Sequence, residues 1–183
     1  MKTNTLLSII LFAYAVTAIG QEKYITKTGE LTFEASVPSF EEVRAKNTNV
    51  SAVLEAETGN FAVLALMKGF RFKVALMEEH FNENYIESSQ YPKTTFKGTI
   101  KDFDFSRLSE KSEYTILGTI TLHGVEQQVE IPATISIADG TLLLAAQFVL
   151  RPEQFNIKIP SIVSKKIAED VNVAAVFKLQ KQK

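Results

Sequence analysis

The sequence predicts an all-β fold: an eight-stranded antiparallel barrel with one inserted amphipathic helix. Three observations lead there. Apolar and polar residues alternate in segment after segment from Glu30 onward, the pattern of strands buried on one face. Short turn signals such as Thr58-Gly59-Asn60 and Asp139-Gly140 separate neighbouring segments, as in hairpins. A single stretch between Phe70 and Tyr85 departs from this pattern, its apolar residues recurring every three to four positions, the spacing of a helix. Eight strands with one apolar face each close most readily into a barrel, because closure leaves no open edge. A two-sheet sandwich is the alternative.

Taken in order, Leu31, Phe33 and Ala35 share the face opposite Thr32, Glu34 and Ser36. Val50, Ala52 and Leu54 repeat the pattern, and the turn at Gly59 leads into Phe61, Val63, Ala65 and Met67. The helix presents Phe70, Val74, Met77, Phe81 and Tyr85 as one stripe and ends before Tyr91-Pro92, since a residue preceding proline avoids helical geometry. Phe96, Gly98 and Ile100 follow, then Ile116, Gly118, Ile120 and Leu122. Val129, Ile131, Ala133, Ile135 and Ile137 form the clearest strand, in which Pro132 requires an edge or a bulge because it has no N–H to donate. Leu142, Leu144, Ala146 and Phe148 make the next strand, and Val171, Val173, Ala175, Phe177 and Leu179 the last.

The N-terminus reads differently. Lys2 precedes an apolar run from Leu6 to Val16, and Ala18 and Gly20 are spaced for cleavage before Gln21. That is the layout of a secretory signal peptide, too short to span a membrane. Residues 1–20 are therefore expected to be a leader and 21–183 one barrel domain, periplasmic or secreted. About 160 residues suffice for one full core. A net charge of −1 without a basic cluster argues against nucleic acid as a partner. The chain has no cysteine, which excludes disulfides and thiolate chemistry.

Three blocks are distinctive. The first runs from Leu76-Met-Glu-Glu-His-Phe-Asn-Glu-Asn-Tyr85 to Tyr91-Pro-Lys-Thr-Thr-Phe-Lys-Gly98. The second pairs strands around Leu122-His-Gly-Val125, and the third is Arg151 followed by Phe155 and Ile157. Together they resemble the YceI-like family of secreted bacterial lipocalin-like barrels, associated with isoprenoid and other lipid ligands. The resemblance spans the whole mature chain. It departs at Asn156, where the family often has glycine; asparagine tolerates a left-handed backbone better than most residues. What it implies is a lipocalin-like barrel with an apolar pocket, known in some members to hold a long-chain lipid or isoprenoid; it does not imply catalysis, and no enzyme is expected.

The residues carry a related argument. Each apolar face includes a small residue: Ala35, Ala52, Ala65, Gly98, Gly118, Ala133, Ala146 or Ala175. An eight-stranded barrel either fills itself or holds one slender ligand. Small residues at one level would leave a lumen, or they merely alternate with large ones in a packed core. On the lumen reading the candidate ligand-binding residues are Phe33, Ala65, Met67, Met77, Phe81, Phe96, Ile120, Ile131, Phe148, Arg151, Phe155, Ile157 and Phe177. Met77 and Phe81 line the mouth or simply pack the helix on the sheet. Arg151 holds a polar head group through its planar fork of donors, or pairs with a carboxylate such as Glu153.

No catalytic, metal or cofactor constellation stands out. His80 near Glu79 and Glu83 has no second histidine one turn on, so a helical metal pair is incomplete. His123 beside Gly124 is expected to stabilise a turn. Ser36, Ser88 and Ser164 lack a nucleophile elbow. The second class of function is a filled barrel acting through its surface as an envelope protein-interaction module. A homodimer is compatible with either.

Overall fold

The computed structural model describes residues 22–108 and 112–182. The expected leader, residues 1–20, lies outside the described residues. In chain order the elements are β1 (Lys23–Ser36), β2 (Arg44–Glu55), β3 (Asn60–Leu66), β4 (Arg71–Phe72), α1 (Ala75–His80) and β5 (Lys93–Ile100). Then come β6 (Ser112–Leu122), β7 (Val125–Ala138), β8 (Thr141–Leu150), α2 (Ser161–Ser164) and β9 (Ile167–Lys181). Eight long strands pair in the order β1-β9-β8-β7-β6-β5-β3-β2, and β2 pairs back on β1 to close an antiparallel barrel. β4 is a two-residue addition on β2. Closure rules out the sandwich.

The first two strands are longer than their alternation. β1 and β2 share register breaks around Gly29, and each break switches which side chains face inward. Tyr24 and Thr26 are buried on one side of the break, and Gly29 and Ala35 on the other; in β2, Ala45 and Asn47 precede the switch to Val50, Ala52 and Leu54. Gly29 is needed where it stands: a Cβ there would lie 2.4 Å from the Phe177 ring.

The helix is shorter than its apolar spacing predicts. Phe70 and Val74 have extended backbones and precede α1. Only Met77, Phe81 and Tyr85 of the expected stripe are helical, and after His80 the helix widens into a π turn over Phe81–Tyr85. Tertiary bonds override the local pattern. The Asn47 amide donates to Leu66 O at 3.0 Å, β4 pairs with β2 through Ala45 and Phe72, and Glu78 accepts from Arg71 at 2.7 Å and from the Phe72 N–H at 3.2 Å.

The barrel is closed at one end and split at the other. At the closed end the loop after β5 lays Phe105 on Tyr24 (centroids 5.1 Å) and Phe103 on Tyr114 (5.8 Å). Glu55 sits there too, its carboxyl held below its usual pKa by hydrogen bonds from Asn60, Thr58 and Lys23. At the other end β7 and β8 part. Their ladder runs only from Ala138 and Thr141 to Ala133 and Ala146, while Val125–Pro132 pair with β6 alone. Pro132 is the first residue past that ladder, an edge setting that tolerates a missing N–H.

Candidate functional site: an apolar cavity at the split end

A 3₁₀ turn, Pro152–Phe155, fills the gap between β7 and β8. Asn156 then takes a left-handed backbone (φ 58°), a conformation asparagine adopts at modest cost. The Gln127 amide donates to Gln154 O at 2.8 Å. This turn drives Phe155 (0% exposed) and Ile157 into the barrel. His123 fastens it from the β6–β7 hairpin: Nδ1 lies 3.0 Å from Phe155 O and Nε2 lies 2.9 Å from a Glu87 carboxylate oxygen. Tyr91 packs on the imidazole with centroids 4.3 Å apart. The expected turn-stabilising histidine thus joins three segments. Both of its partners are acceptors, so a ring bearing one proton donates to only one of them.

Beneath the turn lies a cavity of about 470 Å³, within the ordinary range for ligand pockets of about 300–1,000 Å³. Its floor is an aromatic layer in which Phe61 meets Phe177 at 5.7 Å and Phe96 at 6.2 Å. The walls are Leu31, Ile116, Ile120, Ile131, Leu144, Phe148 and Val173. On the helix side Phe33, Phe70, Phe72 and Phe81 pack ring on ring, Phe33 lying 5.3 Å from both Phe70 and Phe81. Polar lining is sparse: Thr32, Tyr85, Thr94 and Thr95, with Glu41, His80 and Lys166 at the rim. Thr94 spends its hydroxyl proton on Thr121 O at 2.9 Å. Such a surface solvates an apolar chain and offers little to a polar metabolite.

Of the residues singled out from the sequence, Phe33, Met67, Met77, Phe81, Phe96, Ile120, Ile131, Phe148, Phe155, Ile157 and Phe177 line this cavity. Two do not. Ala65 is fully buried in the wall, its methyl too short to reach past Val63 and Met67 on the same strand face. Arg151 is exposed and its Nε donates to Asp170 at 2.7 Å. Leu150 faces inward opposite Val171, so alternation turns Arg151 outward onto Asp170. The partner is therefore Asp170 rather than Glu153, and its hydrogen bond raises the guanidinium pKa.

The small residues also need correction. Ala35, Ala146 and Ala175 line the cavity, but Ala52 and Ala133 are buried without doing so. Gly98 and Gly118 face each other across β5 and β6, and the Phe96 ring covers both, 2.6 Å from where either Cβ would stand. They admit a ring, not a lumen. The hollow lies between the ring layer of Phe61, Phe96 and Phe177 and the turn that brings in Phe155 and Ile157. Sequence reasoning missed Phe40, Val43, Ile159 and Val163, which rim the mouth from the β1–β2 loop and the β8–β9 connection. Ile157 and Ile159 do alternate with Lys158; Phe40 carries no periodic signal.

Among the described residues no cluster of His, Asp and Glu could hold a metal ion, and no helix is long and apolar enough to cross a membrane. A comparison with curated proteins finds no match. Solved structures do match. A polyisoprenoid binding domain from Saccharophagus degradans, implicated in plant cell wall breakdown, superposes with a TM-score of 0.75 at 12% identity, covering 88% of this chain and 99% of that one. BcnA of Burkholderia cenocepacia gives 0.69 at 14% identity, covering 82% and 95%. The YceI protein of Campylobacter jejuni gives 0.63 at 16% identity, covering 100% and 99%. Likeness at such identities shows the shared fold. The YceI-like domain model itself matches residues 23–179, and on that match the chain belongs to the YceI-like family.

Proposed function

We propose that this protein is a non-catalytic binding protein that holds a long apolar chain, polyisoprenoid or fatty acyl, in the cavity at the split end of its barrel. The observation that carries the reading is the cavity itself: about 470 Å³, walled by aliphatic and aromatic side chains. A filled barrel working only through its surface would not have it. The occupant meets Phe61, Phe96 and Phe177 at the floor and passes Met77, Phe81, Phe155 and Ile157 at the mouth. The polyisoprenoid binding domain that shares the fold supports the same ligand class. The leader-like layout of residues 1–20 supports a periplasmic or secreted location.

The magnitudes favour a chain over a small molecule. Burial contributes about 0.8 kcal/mol per methylene, so roughly ten carbons yield about 8 kcal/mol gross. Association costs on the order of 4 kcal/mol or more, and micromolar binding requires about 8 kcal/mol net. A longer chain, or a head group held at the rim by Glu41, His80 or Lys166, closes that difference. Native mass spectrometry of protein purified from its source tests the proposal. The expected result is a one-to-one adduct that organic extraction removes and added polyprenol or palmitate restores. Protein that carries no lipid and takes up neither would overturn it.

A further inference from the structure

The most exposed large apolar side chain described is Ile162 (86% exposed), on the short α2 between β8 and β9. Phe40 and Val149 are about half exposed. Ile162 lies in the connection that leads from β8 into β9, and Ser36, just before the Phe40 loop, pairs with Ile167 at the start of β9. Between Asn156 and Ala168 the chain carries Lys158, Lys165 and Lys166 and no carboxylate. None of these lysines forms an ion pair among the described residues. Carboxylates flank this segment: Glu41 and Glu42 follow Phe40, and Glu169 and Asp170 follow Ala168, Asp170 being paired with Arg151. The Asn156–Ala168 segment at the mouth therefore combines a bare apolar side chain with cations free of ion pairs.

We infer that this segment docks on an anionic lipid bilayer, with Ile162 entering the interface and Lys158, Lys165 and Lys166 among the head groups. Exposed apolar side chains beside lysines are the chemistry that binds an anionic membrane surface. The position gives it a purpose, because Val163 and Lys166 of the same segment line the cavity mouth. A chain leaving the bilayer would reach Phe155 and Phe148 without crossing water. The inference rests on the proposed ligand class for its purpose, but docking is measurable by itself. Each lysine near an anionic surface contributes about fivefold in partitioning, and reversing one counts roughly twice.

Flotation of the full chain with vesicles is the test. Binding is expected to vesicles of equal parts phosphatidylglycerol and phosphatidylcholine, weakening with salt, and not to phosphatidylcholine alone. Ile162→Asp combined with Lys165→Glu, neither of which lines the cavity, should lower partitioning roughly tenfold or more and leave uptake of palmitate from solution unchanged. No binding to the mixed vesicles, or equal binding by the variant, overturns the inference. So does a variant that turns a dimer into a monomer in sedimentation, since the patch would then be covered by a second copy. Docking without palmitate or polyprenol uptake would leave this inference standing and remove the ligand proposal.

Discussion

His123 stands in a left-handed conformation (φ 51°) followed by Gly124 (φ 74°), the backbone of a tight hairpin turn in which both central residues have positive φ. That geometry aims the imidazole away from its own hairpin, toward Glu87 below the helix and Phe155 in the filling turn. Phe155 is fully buried, so its carbonyl has no water to replace a lost partner. His123→Asn isolates the ring, because asparagine also accepts a positive φ. The turn should persist while the fastening of Phe155 is lost. We expect a fall in stability of about 1–3 kcal/mol, read from the urea midpoint at unchanged slope, together with faster release of bound lipid. Unchanged stability and release would mean that Phe155 is held by packing alone.

At the scale of elements, alternation made the strands legible because most of the barrel keeps one face dry and the other wet. It failed where a bulge inverted the faces: Ala45 and Asn47 of β2 are buried on the opposite parity to Val50 and Ala52, and nothing in composition marks the slip. It failed again at Phe70, whose helical spacing to Val74 was fortuitous because pairing of Phe72 with β2 claims that stretch as extended chain. Most of the candidate lining was legible for a simple reason. Large residues on the inward face either touch a cavity or fill it. What could not be read was which small residues leave space, since that depends on where a neighbouring ring lies. Gly98 is the instructive case. A Cβ there would stand 2.5 Å from Leu117 O and 2.6 Å from the Phe96 ring, and a backbone carbonyl in a ladder has little room to move. Gly98→Ala should therefore cost about 1–3 kcal/mol by overpacking, measured as a lowered denaturation midpoint, and tip Phe96 toward the cavity. A neutral or stabilising result would show that the ring, not the ladder, gives way without cost.

Over the whole molecule the barrel divides its labour by end. The closed end is dry and ring-packed, with Glu22 on Lys181 at 2.7 Å and Glu55 on Lys23 at 3.2 Å pinning the strand termini. The split end trades ladder bonds for a turn and a hollow. Stability and capacity should then be separable, and Ala146 is the position that separates them. It lines the cavity in a row where Ala133, Ala146 and Ala175 are paired neighbours across three strands. A larger side chain in a filled core costs about 1–3 kcal/mol, but Ala146→Phe projects its ring into about 470 Å³ of unfilled space. The added apolar burial offsets the strain, so the denaturation midpoint should stay within about 1 kcal/mol of the parent. Lipid uptake should fall sharply or move to shorter chains, as native mass spectrometry would show. Loss of stability together with uptake would indicate that the hollow is too tight to receive a ring. Unchanged uptake of the same chain would place the ligand elsewhere on the molecule, because a ring at Ala146 and a chain above Phe61 and Phe177 compete for one volume.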